Sequence, residues 1–236
     1  MKDYIEILGI KINNVDMNGA VERAKSYLSQ DELKMIFTPN PEMVINATKN
    51  EELKEALNNS DMNIPDGNGI VWASKKIKKP LPERVAGFDF IHKLFDLGKN
   101  NDIKFYLLGA KPEIVEKAKQ NLENQGVSIV GFHDGYFKDE QPIIDEINNL
   151  GVDVLLVALG APKQELFIYK NKHKLKAKIA VGVGGSFDVI SGEVKRAPKI
   201  IMKLKLEWLY RGLTDIKRMR RLMAIPEFML KVSKQK

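Results

Sequence analysis

The stretch from Asn63 to Ser74, NIPDGNGIVWAS, places one carboxylate, Asp66, between a short apolar run and a helix-like segment. At a helix start, Asp66 would accept a backbone N–H and contribute about 1 kcal/mol as an N-cap. At the end of a sheet strand, it would instead stand as a general base for a bound substrate. Gly67 and Gly69 support this second role, because residues without a side chain let a substrate approach the backbone. The stretch taken alone favours the cap.

The segment TPNPE supplies two further polar side chains, Thr38 and Asn40, where a strand-like run ends. Pro39 and Pro41 restrict the backbone on both sides of Asn40. An amide held in this way suits either a rigid helix cap or a fixed contact with a substrate.

The segment APKQE places Lys163, Gln164 and Glu165 on the first turn of a predicted helix. Pro162 is ordinary at such a helix start, so a purely structural interpretation is also open. Arg84 stands in PERVAGFD, a segment with few helical signals, and a lone arginine of this kind is usually a surface ion-pair partner.

A glycine-rich turn, GVGGSFD, spans residues 182–188. It resembles a dinucleotide-binding fingerprint, but Phe187 stands where the third glycine is required, so it is a weak signal for a nicotinamide cofactor. Such a turn at a helix start can still hold a diphosphate through its N–H groups, with Asp188 available for a sugar or base contact.

Metal ligands and covalent nucleophiles are not indicated. His92, His133 and His173 are scattered without ligand spacing, and the chain has no D-x-D pair. No G-x-S-x-G or P-loop motif is present, and cysteine is absent. We therefore expect no metal site and no cofactor.

The segments that position these residues alternate between the hydrophobic spacing of strands and that of helices. Strand-like runs are predicted at 34–39, 103–109, 127–132, 152–160 and 177–184, and helix-like stretches at 17–30, 41–60, 112–125, 140–150 and 162–175. This alternation predicts an α/β fold, Rossmann-like, with a mostly parallel sheet and helices on both faces. The opening YIEILGIKINNV predicts a small antiparallel pair or edge ribbon. Ligands of such sheets bind at the carboxyl ends of the strands, where the polar segments above lie.

Charge is distributed unevenly along the 236 residues. From Val194 to Lys236 there are 13 Lys/Arg and 3 Asp/Glu, whereas the preceding part is mildly acidic. We expect an α/β core over residues 1–193 and a basic amphipathic appendage over residues 194–236. No signal peptide and no membrane-spanning run is recognised, which predicts a soluble or peripheral protein of the cytoplasm.

The basic tail has an amphipathic pattern. On a helical wheel, an apolar stripe stands opposite a basic stripe. The apolar stripe consists of Met202, Leu206, Leu209, Leu213, Ile216 and Met223. The basic stripe consists of Lys203, Arg211, Arg218 and Arg221. Such a helix packs on its own domain, or lies at an anionic membrane, or meets nucleic acid. We favour the membrane, because Trp208 and Tyr210 accompany the charges and no groove-reading motif does.

Eight ordered segments resemble the WecG/TagA/CpsF glycosyltransferases: TPNPEMV, IPDGNGIVWASK, LPERVAGFD, YLLGAKPE, GYF, ALGAPKQE, VGVGGSFDVISGEVKRAP and LEWLYR. The resemblance runs from about residue 4 to residue 225 and is nearest to the TagA branch of wall teichoic acid synthesis. That branch transfers N-acetylmannosamine from UDP to the 4-hydroxyl of GlcNAc-diphospho-undecaprenol, with inversion. It implies a UDP-sugar donor, a polyprenyl-diphosphate-linked acceptor and an anionic membrane surface as partners.

The resemblance also implies roles for individual residues. Asp66 matches the family's proposed base, and Thr38, Asn40, Arg84 and Gln164 match positions of its active-site pocket. The nucleotide segment is matched by Gly135, Tyr136, Gly184, Gly185, Ser186, Phe187 and Asp188. The family's appendage is matched by the tail, which would dock on the membrane and bring Arg211, Arg218 and Arg221 to the pocket.

Three other functions remain open at this stage. A sister activity would use a UDP-linked mannosaminuronic acid or another hexose, and a uronic acid would require an extra cation in the sugar pocket. A UDP-binding module recruited to membranes would release no UDP in response to acceptor. A nicotinamide dehydrogenase is opposed by the broken glycine fingerprint.

The apolar tail residues also suit a homo-oligomer interface.

Overall fold

The computed structural model describes residues 3–198, 201 and 224–235 of the chain. Its first element is an antiparallel ribbon of β1 (Tyr4–Ile7) and β2 (Ile10–Asn13). Leu8 and Gly9 form the turn between these strands, both with positive φ, which is the backbone geometry of a tight hairpin turn. The antiparallel pair expected at the start of the sequence is therefore present.

A six-stranded parallel sheet forms the centre of the fold. Its strands are β3 (Lys34–Phe37), β4 (Met62–Asn63), β5 (Phe105–Gly109), β6 (Ile129–His133), β7 (Val154–Ala158) and β8 (Ile179–Gly182). They are ordered β4-β3-β8-β7-β5-β6, and every neighbouring pair is parallel. Every residue of β5, β7 and β8 is buried, as expected for strands covered on both faces. The predicted parallel α/β fold is confirmed.

Helices cover both faces of the sheet. Within the described residues they are, in chain order, α1 (Met17–Tyr27), α2 (Pro41–Ala47), α3 (Glu51–Asn58), α4 (Asn68–Lys76), α5 (Gly87–Asn101), α6 (Pro112–Glu123), α7 (Gln141–Asn149), α8 (Lys163–Lys170), α9 (Ser186–Ile190) and α10 (Ala224–Lys234). Alternate residues of β5 divide between two apolar clusters, with Phe105 and Leu107 in one and Tyr106 and Leu108 in the other. Helices α1, α5, α6 and α9 build the first cluster, and the remaining helices build the second with the ribbon.

Two helical predictions differ from the structure. Residues 41–60, predicted as one helix, form α2 and α3, because Asn50 accepts a hydrogen bond from the N–H of Leu53 (3.1 Å) and begins a new helix. Helix α5 is absent from the sequence prediction, although its 15 residues bury a continuous apolar face.

The C-terminal helix α10 packs on the body of the protein. Phe228 and Val232 are 0% and 1% exposed and belong to the same apolar cluster as α2 and α4. Lys49 pairs with Glu227 at 2.8 Å, and the side-chain amide of Gln235 bonds to the backbone of Leu8 and Glu6. The domain division between residues 193 and 194 remains a prediction, and the amphipathic stretch at 202–223 lies outside the described residues.

In the part of the chain that the structure describes, no helix is both long and apolar enough to cross a bilayer.

Candidate active site

A cavity of about 890 Å³ lies at the carboxyl ends of the sheet strands. The loops that follow all six strands of the parallel sheet contribute to its lining. This is the edge where parallel α/β folds bind ligands, because a crevice opens there at the point where the strand order reverses. The polar segments NIPDG, TPNPE, APKQE and GVGGSFD, each recognised in the sequence, therefore meet in one place.

Every described residue that the sequence assigns to the site lines this cavity. They are Thr38, Asn40, Asp66, Arg84, Gly135, Tyr136, Gln164, Gly184, Gly185, Ser186, Phe187 and Asp188. The three tail residues Arg211, Arg218 and Arg221 lie outside the described residues. The roles of all of these residues remain predictions.

Asp66 is not the N-cap residue of the helix that follows it. Gly67 occupies that position with φ +94°, and α4 begins at Asn68. The Nε atom of Arg84 lies 3.3 Å from Asp66 Oδ1, and both side chains are about a quarter exposed. The backbone N–H of Asp66 donates to Pro39 O (3.3 Å), which fixes the loop after β4 against the loop after β3. Asp66 thus presents a carboxylate beside a guanidinium in the cavity.

Close packing explains the glycines around Asp66. A Cβ on Gly69 would lie 2.5 Å from Cγ of Pro41, which real Cβ atoms do not tolerate. A Cβ on Gly67 would lie 3.3 Å from Cδ of the same proline. These glycines therefore allow the start of α4 to approach the start of α2, and so bring two strand exits together.

Asn40 and Thr38 have structural contacts as well as a place in the cavity. Asn40 Oδ1 accepts a hydrogen bond from the N–H of Met43 (2.9 Å) and caps α2. The γ-methyl group of Thr38 packs against the start of α5, where a Cβ on Gly87 would lie 2.9 Å from it. Of the two interpretations left open for Asn40, the cap is observed.

The buried side chain of Gln164 connects α8 to the glycine-rich turn through hydrogen bonds. Its Nε2 donates to Glu165 Oε1 (2.7 Å), and its Oε1 accepts from the N–H of Gly184 (3.0 Å). Glu165 itself is fully buried, and burial raises its pKa to about 7 against the weaker opposing effect of its hydrogen bonds. Sequence reasoning assigned no role to Glu165, although APKQE contains it.

Several polar groups of the glycine-rich turn form hydrogen bonds within the protein. Gly184 has φ +52°, and its N–H is taken by Gln164, while the N–H of Ser186 donates to Val183 O (3.2 Å). The Ser186 hydroxyl also donates to Val183 O (2.7 Å), and Phe187 is fully buried in the core. The sequence predicts that the backbone N–H groups of this turn hold a diphosphate. Two of them, those of Gly184 and Ser186, are instead bonded within the protein.

The loop after β6 presents an aromatic ring to solvent at the cavity edge. Tyr136 is 71% exposed, and its N–H donates to Asp134 Oδ1 (2.7 Å). The N–H of Gly135 donates to Ala110 O (2.8 Å), which ties this loop to the loop after β5.

Arg196 is a cavity residue that sequence reasoning did not assign. Its guanidinium forms two hydrogen bonds to Asp89 (2.6 and 2.9 Å) and lies 4.8 Å from the ring centre of Phe88. Burial alone would raise the pKa of Asp89, but the hydrogen bonds and charge of Arg196, with the charge of Arg84, hold that pKa below its usual value. The sequence could have indicated this residue, because Arg196 lies within VGVGGSFDVISGEVKRAP, one of the eight ordered segments.

Helix α10 adds an apolar wall. Ile225, Phe228 and Met229 line the cavity, and Trp72 of α4 does the same. Cations also line it, namely Arg84, Lys111, Lys163 and Arg196. Among the residues described, no group of three or more metal-ligating side chains is found. The cavity thus combines three carboxylates, those of Glu42, Asp66 and Asp188, with several cations and an apolar side.

Comparison with known proteins gives a consistent result. Residues 5–236 match the model of the Glycosyl transferase WecG/TagA/CpsF family. A relative from Bacillus spizizenii is 39% identical over 211 residues, which cover 89% of this chain and 82% of the relative. A relative from Staphylococcus aureus strain NCTC 8325 is 36% identical over 236 residues, which cover 98% and 93% of the two chains. Both relatives are named N-acetylglucosaminyldiphosphoundecaprenol N-acetyl-beta-D-mannosaminyltransferase.

Proposed function

The chain belongs to the WecG/TagA/CpsF glycosyltransferase family, and from this premise we propose that it transfers N-acetylmannosamine from UDP to the 4-hydroxyl of GlcNAc-diphospho-undecaprenol. The transfer inverts the anomeric carbon and gives the β-linked product of teichoic acid linkage-unit synthesis. The observation that carries the proposal is the pairing of Asp66 with Arg84 inside the cavity, in a chain 36% to 39% identical to transferases of that name.

In this proposal, Asp66 is the general base. Its carboxylate accepts the proton of the acceptor hydroxyl while that oxygen forms a bond to the anomeric carbon. The bond between the anomeric carbon and the diphosphate oxygen breaks, and its electron pair leaves with UDP. Arg84 orients the carboxylate through the 3.3 Å contact and adds a positive charge close to the reacting atoms.

The leaving diphosphate requires positive charge or N–H donors. Arg84, Lys111 and Lys163 supply cations on the described lining, and Arg196 also lines it, with its guanidinium bonded to Asp89. A guanidinium pairs well with phosphate because its planar fork matches two oxygens. We assign the same task to Arg211, Arg218 and Arg221 of the tail, so that the site is complete only when the tail folds onto the body.

The lipid-linked acceptor implies that the protein acts at a membrane surface. We propose that the protein works as a peripheral protein on the cytoplasmic face of the membrane. The 13 Lys/Arg between Val194 and Lys236 support attraction to an anionic surface, at about 1 kcal/mol for each basic group near it. Met229 and Leu230 of α10 are 42% and 59% exposed, and add apolar area on the same segment.

The test measures UDP release from UDP-N-acetylmannosamine with and without a GlcNAc-diphospho-lipid analogue. We expect acceptor-dependent release by the wild type, and a decrease of roughly 100-fold or more in Asp66→Asn, because the amide cannot take the proton. Asp96→Asn, on the exposed side of α5, is the matched control and should keep the wild-type rate. Equal rates in the wild type and Asp66→Asn would remove Asp66 from the role of base.

Donor choice needs its own measurement. A uronic acid donor would need an additional cation in the sugar pocket, and Lys111 and Lys163 both line the cavity. Side-by-side assays with UDP-N-acetylmannosamine and its uronic acid separate the two activities. A higher kcat/KM for the uronic acid would contradict the proposed donor, while leaving the family unchanged.

A further inference from the structure

Glu165 is a buried acid that the proposed reaction does not use. It stands on the first turn of α8, and its exposed fraction is 0%. Oε1 accepts the hydrogen bond from Gln164, whereas Oε2 has no hydrogen-bond partner within the part of the chain that is described. Burying a carboxylate that is only partly hydrogen-bonded costs stability, so an apolar residue here would stabilise the fold better. Its presence therefore calls for an explanation other than packing.

The hydrogen bonds around Glu165 fix the orientation of one amide group. A carboxylate oxygen of Glu165 accepts a hydrogen bond, so the Nε2 end of Gln164 faces it. The Oε1 end of Gln164 then faces the N–H of Gly184, 3.0 Å away. A reversed amide would place an NH₂ group against the N–H of Gly184 and break the bond.

This arrangement lies directly beneath the glycine-rich turn. A Cβ on Gly182, the last residue of β8, would lie 2.8 Å from Gln164 Nε2 and 3.1 Å from Glu165 Oε1. The two side chains therefore fill the space beside the strand end from which the turn begins. On the other side of the turn, the Ser186 hydroxyl donates to Val183 O. The conformation of residues 183–186 is thus held from both sides.

We propose that Glu165 is a positioning residue, whose carboxylate orients the Gln164 amide so that it holds Gly184 and keeps the turn at 183–186 in the shape required for nucleotide binding. Glu165 acts through Gln164 and touches no substrate. The inference rests on the proposed function for its ligand, UDP, while the bond to Gly184 is tested without any ligand.

The first measurement is hydrogen exchange of the full-length protein without ligand, followed in the segment 182–187. Glu165→Met removes the acceptor at similar volume, and we expect exchange in this segment to become roughly tenfold faster, as in Gln164→Met. Glu165→Gln keeps an acceptor oxygen and should restore most of the protection. Asn171→Leu is the matched control, because it removes a buried hydrogen-bonding side chain at the other end of α8. Unchanged exchange in a folded Glu165→Met, or an equal increase in Asn171→Leu, would overturn the proposal.

The second measurement is UDP affinity by calorimetry for the same variants and for the double variant Glu165→Met/Gln164→Met. We expect a Kd roughly tenfold weaker for Glu165→Met, and no further weakening in the double variant, because one residue acts through the other. Additive losses would contradict the coupling. Absence of UDP binding by the wild type would instead contradict the proposed donor, and the exchange data would still decide the role of Glu165.

Discussion

Asp66 and Glu165 both carry a carboxyl group, but their surroundings suit them to the different roles proposed for them. Asp66 lies in the cavity, about a quarter exposed, beside the guanidinium of Arg84. Glu165 lies behind the cavity lining, without exposure, beside a neutral amide. A group that exchanges protons with a substrate must be reachable, whereas a group that orients a neighbour need not be. The exposure of the two side chains therefore supports the proposed proton transfer at Asp66 and the proposed positioning role of Glu165.

The raised pKa of Glu165 makes a prediction about stability and pH. The native pKa of about 7 lies above the ordinary value of 4.5. The native state thus binds the proton more tightly, and the stability that this contributes is full below pH 4.5 and is lost as pH rises through 7. Glu165→Gln removes this loss. We expect the stability of Glu165→Gln relative to the wild type to increase between pH 4.5 and pH 8 by on the order of 3 kcal/mol.

Urea unfolding at several pH values measures this difference. The matched control is Glu116→Gln, which makes the same change of side chain on the exposed face of α6. A difference between Glu165→Gln and the wild type that stays constant from pH 4.5 to pH 8 would mean that Glu165 does not titrate in this range.

At the scale of single elements, the sequence predicts where the site lies better than it predicts which residues are caps. Parallel strands bring their carboxyl ends to one edge, so polar strand exits must meet there. Asn40 and Asp66 have the same appearance in sequence, as polar residues next to proline before a helix. Asn40 caps its helix and Asp66 does not, because Gly67 takes the cap position with a positive φ. That difference is set by the backbone and by contact with Pro41, neither of which is visible in the sequence.

Helix α5 shows a second limit of sequence prediction. Gly87 and Gly98 lower its intrinsic helix propensity, and no side chain caps its start. Gly98 is nevertheless required by packing, since a Cβ there would lie 2.5 Å from the ring of Phe105 in β5. Tertiary contact with the sheet thus selects a glycine that local propensity disfavours. The helical spacing of the apolar residues Phe90, Ile91, Leu94 and Phe95 was the feature of the sequence that indicated this helix.

Helix α10 provides a prediction at the same scale. Phe228 is fully buried against α2 and α4, whereas Leu230 on the same helix is 59% exposed. We expect Phe228→Ala to lower the free energy of unfolding by about 3 to 5 kcal/mol, through lost burial and the cavity that remains. Leu230→Ala is the matched control and should cost much less. Equal effects of the two changes in urea unfolding would contradict the packing of α10 as described.

For the whole molecule, the packing of α10 changes how the basic tail should be tested. Cutting the chain near Gly192 would remove the tail arginines, but would also remove Phe228 and Val232 from the core. A loss of turnover after such a cut would not separate catalysis from folding. Point substitutions that leave α10 in place are therefore the better test of whether the tail completes the site.

Binding to the membrane is the corresponding prediction. Sedimentation with vesicles of anionic and neutral lipid should show binding of the full-length protein to the anionic vesicles, weakened by salt. Arg218→Gln/Arg221→Gln should weaken this binding roughly tenfold or more, given about 1 kcal/mol for each basic group at the surface. Lys93→Gln/Lys117→Gln removes the same charge from α5 and α6, on the face of the sheet opposite α10, and should have little effect. Equal weakening by both pairs would assign the attraction to net charge, and no binding by the wild type would contradict docking through the tail.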